Sequence, residues 1–359
     1  MKSTLFIVCL LLSNILFAQA PTTPETAMVS EPKHLTNITQ LTYGGNNAEA
    51  YWSFDNKALT FQSDNPKWGL GCDQIFNLNI KKAKKGKAAY LPKKISTGDG
   101  RTTCSYFMPN SKDILYASTH IGDKICPAPP APRTDNKYVW PIYNTFDIFV
   151  ADKNGKIIKQ LTDAPGYDAE ATVSPDGKKI VFTSTRSGDL ELWIMDIDGS
   201  NQKQITTGLG YDGGAFFSHD SQKLVFRSSR PKTEAEIADY KAFLAQDLVA
   251  PTNMEIYTCN VDGSNLKQVT NLGKANWAPY FLAGDKRIIF SSNHFSKRGY
   301  EFQLFVINED GTGLEQITTE SKFNSFPMLS PDGKRLAWSS NRDNGGTRDT
   351  NVFMAEWKD

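Results

Sequence analysis

One hairpin pattern returns six times along this chain, and a repeat of that kind leaves few folds open. Its fullest copy runs over residues 168–206. An alternating run at 169–173 meets the turn Ser174-Pro175-Asp176-Gly177, and Lys179–Ser184 leaves it. The run Glu191–Asp196 follows, then the turn Asp198-Gly199 and a last run at 202–206. Alternation bounded by Pro-Asp-Gly and Asp-Gly signals hairpins. Four antiparallel strands of this length make one propeller blade.

The other five copies align without a gap through the hairpin. Their turns are Ser53-Phe54-Asp55-Asn56, Met108-Pro109-Asn110-Ser111, Ser218-His219-Asp220-Ser221, Leu282-Ala283-Gly284-Asp285 and Ser330-Pro331-Asp332-Gly333. Six places on stands an apolar residue: Leu59, Ile114, Ile180, Leu224, Ile288, Leu336. Two later comes an aromatic (Phe61, Tyr116, Phe182, Phe226, Phe290, Trp338), and two later a serine (Ser63, Ser118, Ser184, Ser228, Ser292, Ser340). These residues resemble the TolB-like propeller repeat, a WD-like repeat also seen in the propellers of prolyl-oligopeptidase relatives. The resemblance runs from about residue 38 to the C-terminus. Copies three and six keep Ser-Pro-Asp-Gly-Lys; copies two, four and five depart from it, and copy four carries a long insertion. What it implies is an all-β, six-bladed β-propeller with four-stranded antiparallel blades, used chiefly for binding. It leaves the ligand open.

The run at 38–42 matches the outermost strand of a blade, as in Gln160-Leu161-Thr162, Gln204-Ile205-Thr206, Gln268-Val269-Thr270 and Gln316-Ile317-Thr318. It precedes the first inner strand, while the last copy stops at its third strand, Asn351–Trp357. The N-terminal strand is therefore expected to finish the sixth blade and leave no open sheet edge.

Residues 1–20 read as a secretory signal: Lys2, an apolar run at 5–16, and Ala18-Gln19-Ala20. The run is too short for a membrane span. The mature chain is expected in a periplasm or outside the cell. Residues 21–36, polar and Pro-rich, read as a linker before a propeller at 37–359. Lys+Arg 40 against Asp+Glu 39 argues against a nucleic-acid binder or a polybasic membrane anchor. Past the signal remain Cys72, Cys104, Cys126 and Cys259, which allow three full pairings. The first three are expected near one face with a disulfide among them; Cys259 reads as a small buried residue.

Insertions at 64–73, 120–145, 230–253, 293–301 and 341–350 all join a second strand to a third. They should open on the face where the inner strands begin, the expected binding face. The hairpins at Asp198-Gly199, Asp262-Gly263 and Asp310-Gly311 are expected on that side or near the rim. The stretch 126–133 (CPAPPAPR) should be stiff. Residues 233–250 read as a helix with a Thr233/Glu236 capping box and an apolar side of Ile237, Tyr240, Leu244 and Leu248. It would be a lid over the channel mouth or a helix packed on a blade's flank.

Four groups of residues are candidates for chemistry. Asp168 heads an inner strand, with counterparts Asn47, Thr102, Asp212, Asn276 and Asn324. Such residues cap local backbone, or ring a mouth that grips a ligand. The six serines read as hydroxyls satisfying backbone between blades. Two places after them stand Asn65, His120, Arg186, Arg230, His294 and Arg342, a solvated rim or a belt for anions. Breaks in the repetition form the last group. Glu49 and Glu170 share a position that elsewhere holds Cys104, Gly214, Ala278 and Phe326. With Arg101 and His120 they come from the first three blades and are expected to converge. The four histidines lack metal-ligand spacing, and neither a metal nor a cofactor is expected. No Gly-x-Ser-x-Gly occurs, and no segment remains for an α/β-hydrolase domain.

The resulting expectation is a monomeric binding module for an envelope protein or a peptide or glycan ligand, in envelope transport or complex assembly. The alternative is a propeller enzyme, a polysaccharide lyase or a glycan or peptide hydrolase, using Glu49, Glu170, Arg101 and His120.

Overall fold

The computed structural model describes residues 27–28, 31–131, 133–135 and 137–359, so the signal segment at 1–20 lies outside the described residues. In blade three, Asp168–Val173, Lys179–Ser184, Glu191–Asp196 and Lys203–Gln204 pair in that order, each antiparallel to the last. The starting turn is built by its own side chains. Ser174 Oγ donates to Asp176 Oδ1 at 2.6 Å and accepts from the Lys179 N–H at 2.9 Å. The fourth turn residue is left-handed in all six copies: Asn56, Ser111, Gly177, Ser221, Asp285 and Gly333. Glycine adopts that backbone freely. Where glycine is absent, the side chain staples a neighbouring blade. Ser111 Oγ accepts from the Asp55 N–H and Ser221 Oγ from the Asp176 N–H, each at 3.1 Å. Asp285 accepts from the His219 N–H at 2.9 Å. The departures from Ser-Pro-Asp-Gly are thus bonds between blades.

Six such sheets close into a wheel. The sixth is made of Asn324–Leu329, Arg335–Ser340, Asn351–Trp357 and, as expected, the N-terminal strand Leu35–Gln40. Its register runs from Leu35↔Trp357 to Gln40↔Phe353. The described part of the expected linker is docked rather than free. Ala27–Met28 lies parallel on the outer strand of blade five and makes that sheet five-stranded. Glu31 accepts from the N–H groups of Thr319 and Glu320 at 2.8 and 2.9 Å and pairs with Arg342 at 3.1 Å. His34 stacks on Trp357 with ring centres 5.3 Å apart. These contacts strap blade five to blade six. The polar composition that suggested a linker hid them.

The faces need one correction. Ser184 pairs with Glu191 and Lys179 with Asp196. The second-to-third insertions therefore open beside the heads of the inner strands, as expected. The third-to-fourth hairpins lie on the opposite face with the Ser-Pro-Asp-Gly turns; the Ile197 N–H bonds the Lys178 carbonyl at 2.9 Å. Chain direction reverses at each antiparallel turn, so successive connections alternate faces. On that far face blade one carries an insertion, helix α1 (Ile80–Gly86), between Gln74–Asn79 and Lys93–Lys94. Lys81, Lys82, Lys84, Lys85, Lys87, Lys93 and Lys94 are exposed there.

Helix α2 (Glu234–Leu244) forms behind the expected capping box. Its buried side is Tyr240 and Phe243, and the Tyr240 hydroxyl bonds Asp189 of blade three. The helix packs beside the second-to-third loop of blade three, and none of its residues lines the cavity described below. The strand after it, Leu248–Val249, pairs with Trp140–Pro141 from the blade-two insertion, so the helix props a roof that another blade supplies.

Candidate functional site

Every inner strand holds a bulge. Its pairing register slips between Ala48 and Tyr51, Thr103 and Ser105, Ala169 and Thr172, Gly213 and Phe216, Trp277 and Tyr280, and Ser325 and Met328. Inside each slip one residue has a positive φ: Glu49 55°, Cys104 43°, Glu170 58°, Gly214 59°, Ala278 49° and Phe326 55°. A left-handed residue in a bulge re-aims its side chain. Five of the six are not glycine, a conformation that costs each of them energy. All six line one cavity of about 270 Å³ on the wheel's axis.

That cavity has a floor and a roof. Two residues past the bulge stand Tyr51, Tyr106, Thr172, Phe216, Tyr280 and Met328, all buried. Tyr51 lies 5.7 Å from both Tyr106 and Phe216, ring centre to ring centre, and Phe216 lies 5.5 Å from Tyr280. These rings close the channel below. Above, Trp140 reaches across to stack on Trp277 of blade five at 5.0 Å, and Tyr143 faces the Arg101 guanidinium at 5.8 Å. A disulfide, Cys72–Cys126, ties this blade-two insertion to that of blade one. Cys104 and Cys259 are free, and Cys259 is buried.

Two of the cavity's three carboxylates are matched by arginines. Asp73 pairs with Arg101. Glu170 pairs with Arg227 and accepts from Tyr211 Oη at 2.7 Å, Thr183 Oγ1 at 2.8 Å and the Gly214 N–H at 2.8 Å. Burial pushes the Glu170 carboxyl up, but Arg227 and the hydroxyls outweigh it and hold it below the usual range. Glu49 differs. Its donors are Cys104 Sγ at 3.0 Å, Tyr51 Oη at 3.2 Å and Gln62 Nε2 at 3.3 Å, none of them cationic. Burial, with the Glu170 charge adding to it, raises the Glu49 carboxyl above its ordinary value. Burial and the same two carboxylates push the Cys104 thiol well up, so it stays protonated and is a poor nucleophile.

The ten sequence candidates divide cleanly. Glu49, Arg101 and Glu170 line the cavity; His120 does not, so the expected group of four does not assemble. Asp168 and Asp212 are buried in ion pairs with Arg186 and Arg230. Asn47, Asn276 and Asn324 likewise bond within the rim: Ser63 Oγ to Asn47 at 2.9 Å, Ser292 Oγ to Asn276 at 2.6 Å, Trp338 Nε1 to Asn324 at 3.1 Å. The expected belt of cations is spent inside the fold. Arg186 lies over Phe182 and Trp193, and Arg342 pairs with Glu31. His120 and His294 pack on Phe149 and Phe305, with ring centres 4.4 and 4.7 Å away. Burial lowers both imidazoles, His294 to about 4, so they are neutral at pH 7. The serines also act within a blade rather than between blades: Ser184 Oγ accepts from Arg186 Nε at 2.9 Å.

Sequence reasoning missed Arg227 and Gln62, which share a position just before the repeat serine. The other copies there hold Ala117, Thr183, Ser291 and Ser339, so the break was visible. Trp140 and Tyr143 carried no such signal, because their insertion has no counterpart to compare. Among the described residues, no group of three His, Cys, Asp or Glu side chains is placed to hold a metal, and no helix is long and apolar enough to cross a membrane.

Comparison with known proteins fits this architecture. Residues 142–242 match the TolB beta propeller domain. No curated protein sequence matches. Among solved structures, a candidate TolB of Agrobacterium tumefaciens is 17% identical with a TM-score of 0.55, over 88% of this chain and 91% of that one. TolB of Acinetobacter baumannii is 18% identical with a TM-score of 0.52, over 88% of this chain and 64% of that one. The tricorn protease is 17% identical with a TM-score of 0.52, over 83% of this chain and 24% of that one. This chain thus spans less than two thirds of the second structure and about a quarter of the third. The chain is thus a six-bladed β-propeller, similar over residues 142–242 to the TolB beta propeller domain and sharing its fold with these structures over most of its length.

Proposed function

We propose that this protein is an exported binding module that takes a chain end or side chain of a partner into the roofed cavity on its insertion-rich face. The observation that carries this reading is the ring of six bulges. Backbone strain is kept at one position in every blade, and what it presents to the cavity differs from blade to blade: two carboxylates, a thiol, a phenyl ring and two small residues. Strain of this kind persists where the surroundings over-determine it, as at binding sites. The disulfide at the mouth suits an oxidising compartment, and the propellers named TolB are in keeping with an envelope setting.

The enzyme alternative needs an acid and a base. Glu170 is engaged by Arg227, Tyr211, Thr183 and the Gly214 N–H, and His120 does not line the cavity, so the four residues weighed for catalysis are not brought together. The binding reading is tested by capture from envelope extract with the mature protein beside a Trp140→Ala/Tyr143→Ala variant. Partners should be retained by the first and lost by the second. Recovery of the same partners by both would put the binding surface elsewhere.

A further inference from the structure

We infer that the cavity is a site for an organic cation, a primary ammonium or guanidinium group, with Glu49 as its counter-charge. This rests on the binding reading above and names the chemistry of what binds.

The charges facing the cavity are few. Asp73 with Arg101 and Glu170 with Arg227 cancel as pairs, which leaves the Glu49 carboxylate uncompensated. Its three donors are neutral and occupy three of about four acceptor positions on a carboxylate. The Gln62 contact, at 3.3 Å, is long, so Oε1 keeps room for a charged donor. A carboxylate drawn from water without a cation is costly, and a ligand ammonium would supply the missing charge.

The rest of the lining has the matching chemistry. Tyr51, Tyr167, Phe216, Trp277 and Phe326 face the same space as Glu49. Aromatic faces attract a cation within about 6 Å, most strongly where water is excluded. The protein already uses this contact in the same chamber: the Arg227 guanidinium lies 4.8 Å from the Tyr211 ring and 5.4 Å from Trp140. An anion would meet Glu49 with no free cation opposite, because both arginines are paired.

The test uses the mature protein and three probes of one shape: benzylammonium, benzyl alcohol and benzoate. Trp140 and Trp277 line the site, so their fluorescence reports binding, with calorimetry as a second readout. Benzylammonium should bind, and the other two should bind at least about tenfold more weakly. Glu49→Gln should cost benzylammonium about tenfold or more and erase the preference, while Glu49→Asp should keep part of it. Affinity should fall as the pH drops into the range where Glu49 takes up its proton. A normal circular dichroism spectrum and melting curve for Glu49→Gln exclude unfolding as the cause. Tighter binding of benzyl alcohol or benzoate, or an unchanged benzylammonium affinity in Glu49→Gln, would overturn the cation assignment, as would no binding by any probe. None of these results bears on partner capture by the roof variant, so the two ideas fail separately.

Discussion

Two rings of residues circle the axis of this wheel one step apart, and they use the same backbone to opposite ends. The upper ring, Asn47, Thr102, Asp168, Asp212, Asn276 and Asn324, repeats nearly the same chemistry six times and is almost fully buried. Each of its acids and amides is consumed by a partner in its own blade or at the seam beside it. The lower ring, two residues on, holds Glu49, Cys104, Glu170, Gly214, Ala278 and Phe326 at one unusual backbone conformation. Its chemistry changes at nearly every step. Repetition marks a structural need that every blade shares, while a change of residue at a fixed strained position marks a demand peculiar to that place. In a repeat protein the informative residues are those that break the repeat where the backbone does not.

The equivalence of the blades depends on closure, so opening the wheel is the harshest test of the comparison. Deleting residues 21–42 removes the outer strand of blade six and the strap on blade five. At about 1 kcal/mol for each of several ladder bonds and about 2 kcal/mol for each of the buried Leu35 and Leu41 side chains, the loss should exceed about 5 kcal/mol. Urea denaturation should show it. An unchanged midpoint would mean that the ring does not need its N-terminal strand.

Much of this was legible in the sequence, and the parts that were not share a cause. Turn residues and the serine row act within about ten positions of one another, so they gave the blade, the number of copies and the closing strand. The fate of Arg186, Arg230 and Arg342 was not legible in the same way, because a cation at a strand end reads alike whether it faces solvent or a buried acid on the neighbouring strand. The placing of the third-to-fourth hairpins opposite the insertions follows from antiparallel geometry alone. The bulge leaves no mark in composition: Glu, Cys, Ala and Phe are not residues that announce a left-handed backbone. The roof comes from a single insertion, so no comparison between copies could expose Trp140.

A milder break falls on the upper ring alone. Asp168→Ala strands the Arg186 guanidinium, which lies over Phe182 and Trp193 and is only 16% exposed. Removing one partner of such a pair should cost about 3 kcal/mol. Binding by the protein that remains folded should be unaffected. Lost binding with little lost stability would reverse the roles assigned to the two rings.

Within the lower ring, the two carboxylates at equivalent positions should respond to pH with opposite sign. Glu49 holds its proton more tightly in the folded state than in the unfolded one. Its contribution to stability is therefore present below the ordinary glutamate range and is lost as pH rises through its raised folded value. Glu170 is held low by Arg227 and its hydroxyl donors, so its contribution is present above the ordinary range and is lost as pH falls through its lowered value. Relative to the wild type, Glu49→Gln should gain stability as pH rises from acid to neutral. Glu170→Gln should lose about 2 kcal/mol at neutral pH, because Arg227 keeps a hydrogen-bond partner but not a charge, and the gap should narrow in acid. Urea midpoints taken across that range test both. Slopes of the same sign would mean that the two sites do not differ in charge balance.

The smallest effect isolates the backbone itself. Ala278 has φ 49° with only a methyl group to present to the cavity. A left-handed residue with a Cβ costs about 1–2 kcal/mol, which glycine avoids. Against that, glycine adds about 0.4–1 kcal/mol of unfolded-state entropy to be lost on folding. Ala278→Gly should therefore stabilise the protein by about 0.5 kcal/mol. The reverse change at the equivalent site has no such freedom, because a Cβ built on Gly214 would sit 2.0 Å from Arg227 Nη1. Gly214→Ala should destabilise the protein and disturb the Arg227–Glu170 pair. If Ala278→Gly instead weakens the fold by more than about 1 kcal/mol, the positive φ is not strained there. The bulge would then be a comfortable geometry rather than one that the wheel imposes, and differences in side chain alone would have to explain the lower ring.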